Sequence, residues 1–471
     1  MKVPNNPSST KDFLDTVGCG FCLAKWSQVT MHLGTGMTHS CHHPEPHKIS
    51  KAELERNPTA LHNTRFKKLQ RRAMLEGKRP DECSYCWKVE DTSSSFSDRI
   101  YKSGETWSWP SREEIKTSNW REDVNPTYVE VAFSNSCNFK CSYCGPQFSS
   151  TWMKEIQEEG GYPTSTDFNG LSYIQSKNAL PILHTEHNPY VEAFWKWWPE
   201  LYHSLHTFRI TGGEPLMDKN TWDVLDFICT TENPNKNLEL CINTNLGISD
   251  GKIQKLVDRV NKISDEGRAK SIFLFTSVDT WGPQAEYIRH GLDFNKFWQN
   301  IHTVLSKCPT LTVTFMSTYN ILSVPRYTDL IKGVYEVKRE FTSKDRFWSI
   351  ALDTSFLRWP PHQAIDILPK DVFLPYIEEQ VDAAVICQTP IDYYQELCGK
   401  FDPIGFGYGR MEIDKIKRLY DVLGKNEHSS DSRKFRKDFF NFFSEHDRRR
   451  GTNFTKTFPE LEAFYYSCKE L

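Results

Sequence analysis

The sequence predicts an α/β fold, because strand-like runs alternate with helical segments along the middle of the chain. Four of these runs end in short polar motifs, at residues 137–144, 212–215, 243–245 and 277–279. In α/β barrels and in open α/β sheets, ligands bind at the edge formed by the carboxyl ends of the strands. Each motif alone is a weak signal, but their shared position predicts a single ligand site.

Length and composition predict a folded, cytoplasmic protein of two or three domains. The chain has 471 residues, and 13% of them are aromatic, which is enough to build large cores. The balance of 58 basic against 61 acidic residues gives no electrostatic reason to expect a nucleic acid or an acidic membrane surface as partner. No apolar run approaches about 18 residues, so no membrane span is expected. Residues 1–15 lack the apolar core of a signal peptide.

The predicted divisions of the chain are residues 1–124, 125–355 and 356–471. The first division contains a set of cysteines, and in a reducing compartment clustered cysteines are more often metal ligands than disulfides. Four of them make a full ligand set for one closed site, and the residues alone leave open whether it holds tetrahedral zinc or an iron–sulfur cluster. They are Cys22, Cys41, Cys83 and Cys86. Residues 91–124 are predicted to be a linker with short irregular packing.

The first division also contains several histidines and one clear helical pattern. The histidines are predicted to be solvated loop residues rather than ligands; they are His32, His39, His42, His43 and His47. A helix is predicted over residues 64–76. Phe66, Leu69 and Ala73 recur on one face, which we expect to be buried, while basic residues cover the other face and Gly77 ends the helix.

The segment 137–144 carries the strongest signal. A predicted strand over 128–133 leads into it, and Ser149 can cap the helix predicted over 151–159. Its cysteines, Cys137, Cys141 and Cys144, have C-x3-C-x2-C spacing and can converge on one iron–sulfur cluster. Because a cubane has four irons, three cysteines would leave one iron open to a ligand. The alternatives are a zinc knuckle or a chance cluster, but zinc sites usually complete four ligands in paired C-x2-C knuckles, and no fourth ligand lies beside this run.

The next predicted strand, over 208–211, ends in Gly212, Gly213 and Glu214. Paired glycines allow a ligand to approach the backbone, because no Cβ intervenes. The carboxylate of Glu214 can accept a hydrogen bond from an ammonium group. The alternative is an ordinary turn before the helix predicted near 222–229.

The remaining predicted strands complete a count of six. The run 238–242 ends in Asn243-Thr244-Asn245, and the run 271–275 ends near Ser277 and Asp279, which suits ribose hydroxyls or an ammonium group; the alternative is a set of capped strand ends. Two further runs, 311–316 and 347–352, are the fifth and sixth strands.

The last division is predicted to be helical and amphipathic after residue 361. The basic run 446–451 is predicted to be a solvated helix end. Asp353, at the end of the sixth strand, is predicted to be a cap. Cys387, Cys398 and Cys468 are isolated, and we expect them to be structural or free thiols.

Taken in this order, the cysteine loop, Gly-Gly-Glu-Pro, Asn-Thr-Asn and Ser-Val-Asp resemble the S-adenosylmethionine-binding elements of the radical S-adenosylmethionine (radical SAM) superfamily. The resemblance implies a partial (β/α)6 TIM-like barrel over 125–355. It implies a [4Fe-4S] cluster on Cys137, Cys141 and Cys144, whose open iron chelates the amine and carboxylate of S-adenosylmethionine. The implied cofactor-binding residues are Tyr143 near the adenine, Gly212, Gly213 and Glu214 at the amine, and Asn243, Asn245 and Ser277 at the ribose or carboxylate. Arg289 is either a carboxylate partner or a surface arginine.

Residues 19–90 resemble the twitch (half-SPASM) module of such enzymes. The similarity lies in an early cysteine followed by a tryptophan, a basic helix ending at a glycine, and the run Pro80-x-x-Cys83-x-x-Cys86-Trp87. It implies a second, auxiliary [4Fe-4S] cluster, with Cys22 rather than Cys19 among its four ligands. Here the module precedes the core, whereas twitch modules more often follow it.

The resemblance implies an enzyme that cleaves S-adenosylmethionine reductively and abstracts hydrogen from a substrate. Such modules often accompany peptide-modifying enzymes, so a peptide or protein substrate is preferred over a small molecule. An electron donor such as a flavodoxin or ferredoxin is the expected partner. The competing interpretation is a non-catalytic, zinc-binding structural or interaction protein, and a pure electron-transfer protein is disfavoured by the open iron.

Overall fold

The computed structural model describes residues 6–183, 185–342, 346, 349–388 and 407–471. The chain forms two compact units. The first contains Met1–Asn135, Pro181–Cys241 and Gly267–Lys270, and the second contains Ser136–Leu180, Ile242–Glu266 and Ser271–Leu471. The predicted division into residues 1–124, 125–355 and 356–471 stays a prediction. Within the described ranges, no helix is both long enough and apolar enough to span a membrane.

The described residues contain eleven strands, and nine of them belong to a mostly parallel sheet, which confirms the α/β class. The strands are β1 (Gln28–His32), β2 (Met37–His39), β3 (His47–Lys48), β4 (Tyr128–Ala132), β5 (Lys140–Cys141), β6 (Thr207–Thr211), β7 (Glu239–Thr244), β8 (Ser271–Ser277), β9 (Arg289–His290), β10 (Thr312–Tyr319) and β11 (Ile350–Phe356). The partial barrel stays a prediction.

The described part of the first unit contains nine α-helices. They are Pro7–Asp15, Ala24–Ser27, Lys51–Arg56, Arg65–Leu75, Ser84–Thr92, Asp98–Ser103, Arg112–Thr117, Pro189–Ser204 and Lys219–Thr230. In this unit β4 pairs in parallel with β1 and β6, and β2 pairs antiparallel with β1 and β3. The helices at 98–103 and 112–117 fall in the segment predicted to be an irregular linker, so that prediction is wrong in part.

The second unit contains β8, β10 and β11, which pair in parallel, and the small antiparallel pair of β5 with β9. Its helices are Ser150–Glu159, Leu171–Ser176, Asp250–Asp265, Gly282–Ile288, Phe294–Lys307, Tyr327–Phe341, Lys370–Ile386, Arg410–Lys417, Leu419–Val422, Ser432–Arg450, Phe454–Thr457 and Glu462–Lys469. The described residues after 361 are mostly helical, as predicted. Cys387 and Cys468 are buried there, and Cys398 lies outside the described residues.

The predicted strands correspond to β4, β6, β7, β8, β10 and β11, with ends that differ by a few residues. Asn243 lies inside β7, Ser277 is the last residue of β8, and β11 begins at Ile350; residues 347 and 348 lie outside the described part of the chain. The strands β1 to β3 were not predicted. They place His32, His39 and His47 in paired strands rather than in solvated loops. The imidazoles of His32 and His39 approach to 3.1 Å between their Nε2 atoms.

The helix Arg65–Leu75 has the predicted ends but the opposite buried face. The side chains of Phe66 and Leu69 are each 41% exposed, whereas Lys67 and Arg71 are buried. The ammonium of Lys67 donates to the carbonyl of Gln28 at 2.9 Å, and the Arg71 guanidinium donates to Asn63 at 2.9 Å. A buried cation is tolerated when its donors are satisfied, so the basic face could turn inward.

Thr64 is the N-cap of this helix, and its hydroxyl accepts a hydrogen bond from the Lys67 amide at 3.1 Å. Replacing Thr64 with alanine is expected to lower the free energy of unfolding by about 1 kcal/mol, because one amide of the first turn loses its partner. Urea denaturation of the variant measures the change. Thr92→Ala, at an exposed helix end, is the control and should change stability by less than about 0.5 kcal/mol; equal effects of the two would contradict the capping role.

Candidate functional site

The cysteine loop, residues 137–144, brings three thiols together in the second unit. Burial raises the pKa of the Cys144 thiol, and the nearby thiols of Cys141 and Cys137 raise it further. The amide of Phe139 donates to the Cys137 sulfur at 3.4 Å. The loop therefore presents three sulfurs within electrostatic reach of one another.

The backbone of the loop is fixed by the start of the helix Ser150–Glu159. Ser149 caps this helix as predicted, since its hydroxyl accepts from the Trp152 amide. Side chains at 149–152 donate to loop carbonyls: Ser150 to Cys137 at 3.2 Å, Ser149 and Thr151 to Phe139 at 2.7 and 2.8 Å, and the Trp152 indole to Cys141 at 2.9 Å. The same turn that ends the loop thus holds it in one conformation.

The side-chain amides of Asn138 and Asn245 also support the cysteine loop. Asn245 donates to the side-chain oxygen of Asn138 at 3.0 Å, and Asn138 donates to the carbonyl of Gly247 at 2.6 Å. The Asn245 side chain also accepts from the Gly247 amide at 2.8 Å. The residue predicted to meet a ribose or carboxylate is thus engaged with the cysteine loop itself.

Glycines allow neighbouring segments to approach the loop closely. Gly291 has a positive φ of 109°, and a Cβ there would lie 2.9 Å from the carbonyl oxygen of Asn138. A Cβ on Gly247 would lie 2.2 Å from the ring of Phe139. Only glycine fits at these two positions without moving the loop.

Replacing Gly291 with alanine is expected to lower the free energy of unfolding by about 1–3 kcal/mol, because both the backbone conformation and the contact with Asn138 become strained. Denaturant titration measures this loss. The control is Gly251→Ala in the helix Asp250–Asp265, where a Cβ meets nothing within 4 Å. A Gly291 variant as stable as the Gly251 variant would show that the loop tolerates displacement.

The C-terminal part of the second unit also contacts the loop. Gln363 and Ser142, both buried, exchange two hydrogen bonds: the Ser142 hydroxyl donates at 2.8 Å, and the Gln363 amide donates to the Ser142 carbonyl at 3.0 Å. Arg450 donates to the carbonyl of Lys140 at 2.9 Å. Its guanidinium lies 4.8 Å from the Trp152 ring centroid, and its side chain is 0% exposed. The prediction of a solvated basic end for 446–451 is therefore wrong at Arg450. It is also wrong at His446 and Arg449, whose side chains are 0% and 3% exposed.

Arg289 reaches the loop from β9, which pairs antiparallel with β5. Its guanidinium donates to the Cys141 sulfur at 3.6 Å and to the Tyr143 hydroxyl at 2.6 Å. It also forms a two-point ion pair with Asp279, at 2.9 and 3.0 Å. Asp279 accepts further hydrogen bonds from Tyr143 at 2.9 Å and from the Thr318 amide at 2.9 Å.

This network is buried, and the positive charge of Arg289 is balanced by the negative charge of Asp279. The surface alternative for Arg289 is wrong, since its side chain is 8% exposed and that of Asp279 is 0% exposed. Burial raises the pKa of the Cys141 thiol, and the adjacent Arg289 opposes that rise. Arg289 therefore provides a fixed cation at one thiol of the loop.

The other predicted groups lie on β7, β8 and β11 and directly after β6. Asn243 and Ser277 are partly exposed on β7 and β8. In the first unit Glu214 is fully buried and accepts from the Leu216 amide at 3.0 Å. Gly212 has a φ of 119°, and a Cβ there would lie 3.0 Å from the Ser134 carbonyl, so its lack of a side chain has a packing reason. Asp353 pairs with Lys415 at 2.7 Å.

The first unit gathers its four predicted ligands around one cavity. Its lining includes Cys22, Cys41, Cys83 and Cys86, together with Lys25, His43, Asp98, Arg99 and Lys102. Cys19 is exposed and is not part of this lining. Burial raises the pKa values of Cys83 and Cys86 to about 12, and the thiols of Cys22 and Cys41 contribute to both shifts.

Two buried cations border this cavity. Lys25 pairs with Glu82 at 2.5 Å, and Arg99 pairs with Glu90 at 2.9 Å. Local sequence pattern did not predict these ion pairs, because each of them joins two different elements of the fold. It did not predict the contact of Gln363 with Ser142 either. Strand-end placement singled out Asp279 but not its pairing with Arg289.

Among the described residues, no group of three or more His, Cys, Asp or Glu side chains is arranged to hold a single metal ion. No protein-family model matches the chain, and no curated protein is significantly similar to it in sequence.

Proposed function

We propose that the chain is a radical SAM enzyme that acts on a peptide, a protein or a small molecule. The observation that carries the proposal is the cysteine loop. Its three thiols lie within electrostatic reach of one another. Five of its backbone carbonyls, at positions 137 and 139–142, accept hydrogen bonds from side chains. A backbone fixed in this way suits a cluster with three cysteine ligands, in which one iron has no cysteine ligand and stays open. A partial (β/α)6 barrel formed by β4, β6, β7, β8, β10 and β11 belongs to the same proposal.

The donor sets fit iron–sulfur clusters in number and kind. Three thiols on the loop match a cubane with one open iron, and four thiols around a cavity match a closed, auxiliary cubane. A tetrahedral zinc would draw its sulfurs to within about 4 Å of one another around one point, given Zn–S bonds of about 2.3 Å.

The chemistry comes from the cofactors, and the chain's residues bind and orient them. When bound, a reduced [4Fe-4S] cluster supplies the electron that cleaves S-adenosylmethionine to methionine and a 5′-deoxyadenosyl radical, which takes hydrogen from the substrate. Cys137, Cys141 and Cys144 would hold the cluster, and Arg289 would lie against one ligand. The proposed groups for S-adenosylmethionine are Tyr143, Gly212, Gly213, Glu214, Asn243, Asn245, Ser277 and Arg289.

The proposal includes a second [4Fe-4S] cluster on Cys22, Cys41, Cys83 and Cys86, with Lys25 and Arg99 as cations beside it. It also includes an electron donor such as a flavodoxin or ferredoxin, and a cytoplasmic location, where thiols stay reduced. The second candidate is a zinc-binding structural protein, which gives no role to the support of the loop by Arg289 and Gln363.

Anaerobic purification followed by metal and sulfide analysis tests the proposal. Two cubane clusters correspond to about eight irons per chain. Incubation with S-adenosylmethionine and a strong reductant should then release 5′-deoxyadenosine and methionine. Two zincs without iron would refute the proposal, as would two clusters that leave S-adenosylmethionine intact.

A further inference from the structure

Arg450 is a buried cation that lies against the backbone of the cysteine loop. Its side chain is 0% exposed. Its guanidinium donates to the carbonyl of Lys140 at 2.9 Å, and Lys140 precedes Cys141 in the chain. It also lies 4.8 Å from the ring centroid of Trp152, whose indole donates to the carbonyl of Cys141 at 2.9 Å. Its positive charge is therefore held next to the backbone of one of the three proposed cluster ligands.

Arg450 shares the carboxylate that it reaches among the described residues. Oε2 of Glu155 lies 3.6 Å from Nε of Arg450 and 2.6 Å from the ammonium of Lys140. The other oxygen, Oε1, accepts from the hydroxyl of Tyr162 at 2.7 Å. Nε and Nη2 of Arg450 are buried and have no hydrogen-bond partner within the described part of the chain. The charge of Arg450 is thus only partly balanced.

The other charged groups around the end of the helix Ser432–Arg450 have partners of their own. Arg449 pairs with Glu445 at 2.7 Å and lies 3.9 Å from Glu155. The carboxylate of Asp447 accepts hydrogen bonds from groups that follow or face it, which are the hydroxyls of Tyr287 and Thr452 and the amide of Phe454. Neither carboxylate of this helix end is thus hydrogen-bonded to Arg450.

Two imidazoles lie near Arg450, and both are neutral at neutral pH. Nη1 of Arg450 donates to Nε2 of His446 at 2.7 Å, so this nitrogen carries no proton. Burial lowers the pKa of His446 well below its ordinary value, and Arg450 lowers it further. Burial, Arg450 and Lys140 lower the pKa of His290 to about 4. Neither ring changes the charge balance around Arg450.

A partly balanced charge inside a protein interacts strongly with a charge brought near it, because little water screens the two. A [4Fe-4S] cluster with three thiolate ligands carries a net negative charge, and reduction makes that charge larger. Arg289 reaches the Cys141 sulfur but is balanced by Asp279, whereas Arg450 shares Glu155 with Lys140. Arg450 therefore has more of its charge available to a cluster.

We propose that Arg450 supplies buried positive charge that stabilises the reduced cluster on the cysteine loop, in addition to holding the Lys140 carbonyl in place. This inference rests on the proposed function, because it requires a cluster on Cys137, Cys141 and Cys144. It differs from a purely structural role in one respect, since the effect of a substitution then depends on charge rather than on hydrogen bonding.

An electron paramagnetic resonance redox titration of the cluster-loaded full chain, without S-adenosylmethionine, tests the inference. The signal that Cys141→Ala removes belongs to the loop cluster. Arg450→Gln removes the charge but keeps an amide that can donate to the Lys140 carbonyl. It should lower the equilibrium constant for reduction about tenfold, which is a midpoint potential about 59 mV more negative for a one-electron couple. Arg450→Lys keeps the charge and should leave the potential close to that of the unsubstituted protein.

Glu155→Gln is a second variant, and its expected effect has the opposite sign. It removes the carboxylate that partly balances Arg450, so the potential should become less negative; this measurement keeps the test valid if Arg450→Gln does not fold. Arg448→Gln is the control, because Arg448 lies on the same helix with its side chain 58% exposed, where solvent and salt screen its charge. It should leave the potential unchanged.

Equal potentials in the Arg450→Gln and Arg450→Lys variants would overturn the inference, as would shifts of the same sign in Arg450→Gln and Glu155→Gln. A loop that binds no iron in the unsubstituted protein would refute the proposed function. A loaded loop whose potential is the same in every variant would overturn this inference alone.

Discussion

Replacing Cys141 with alanine is expected to abolish cleavage of S-adenosylmethionine and to lower the iron content from about eight to about four per chain. The variant removes the central thiol of the loop, and two thiolates cannot retain a cubane. The four-thiol site in the first unit keeps all its ligands, so its cluster should remain. Iron and sulfide analysis and quantification of 5′-deoxyadenosine by mass spectrometry give the two readouts.

Cys19→Ala is the matched control for this experiment. Cys19 is an exposed thiol close in the chain to Cys22 but outside the cavity lining. It should leave both iron content and cleavage unchanged, whereas Cys22→Ala should remove the auxiliary iron. Persistent cleavage in the Cys141 variant would refute the ligand assignment. Loss of all iron in that variant would mean that the two sites are not independent.

The positions of the strands and of the cysteine loop followed from local pattern. Runs of β-branched and aromatic residues before polar motifs located β4, β6, β7, β8, β10 and β11, and Ser149 marked the helix that follows the loop. The strands β1 to β3 escaped notice because they are two to five residues long, and β1 is buried along most of its length without alternation. β1 pairs with β4, which lies far along the chain, so the local sequence does not show the contact that stabilises it.

Two of the errors share one physical cause. The helix Arg65–Leu75 and the run at 446–451 were both interpreted from the rule that basic side chains face water. Lys67, Arg71 and Arg450 can be buried because groups outside their own helices accept their hydrogen bonds. A pattern within one element cannot reveal acceptors supplied by another element, so burial of a satisfied cation is visible only in the folded chain.

Replacing Arg289 with methionine is expected to lower the free energy of unfolding by about 3–5 kcal/mol, because it leaves the carboxylate of Asp279 buried without its counter-charge. The double variant Arg289→Met with Asp279→Leu should recover much of this loss, since no unpaired charge remains. Arg326→Met is the matched control, because Arg326 pairs with Asp329 at the surface, where both side chains are more than a third exposed. That pair should contribute no more than about 1 kcal/mol. Denaturant titration of the four proteins measures these differences.

The same variants separate the two roles open to Arg289. Its guanidinium is engaged by Asp279, Tyr143 and the Cys141 sulfur, so its action on a bound cluster should be electrostatic. Loss of a cation hydrogen-bonded to one thiolate stabilises the oxidised cluster, and an electron paramagnetic resonance redox titration without S-adenosylmethionine should show a more negative midpoint potential. If Arg289 instead serves chiefly as partner of the cofactor carboxylate, Arg289→Met would weaken S-adenosylmethionine binding while stability and the midpoint potential stay unchanged. The buried ion pair and the contact with Cys141 favour the first outcome, in which one arginine both compensates Asp279 and tunes the loop.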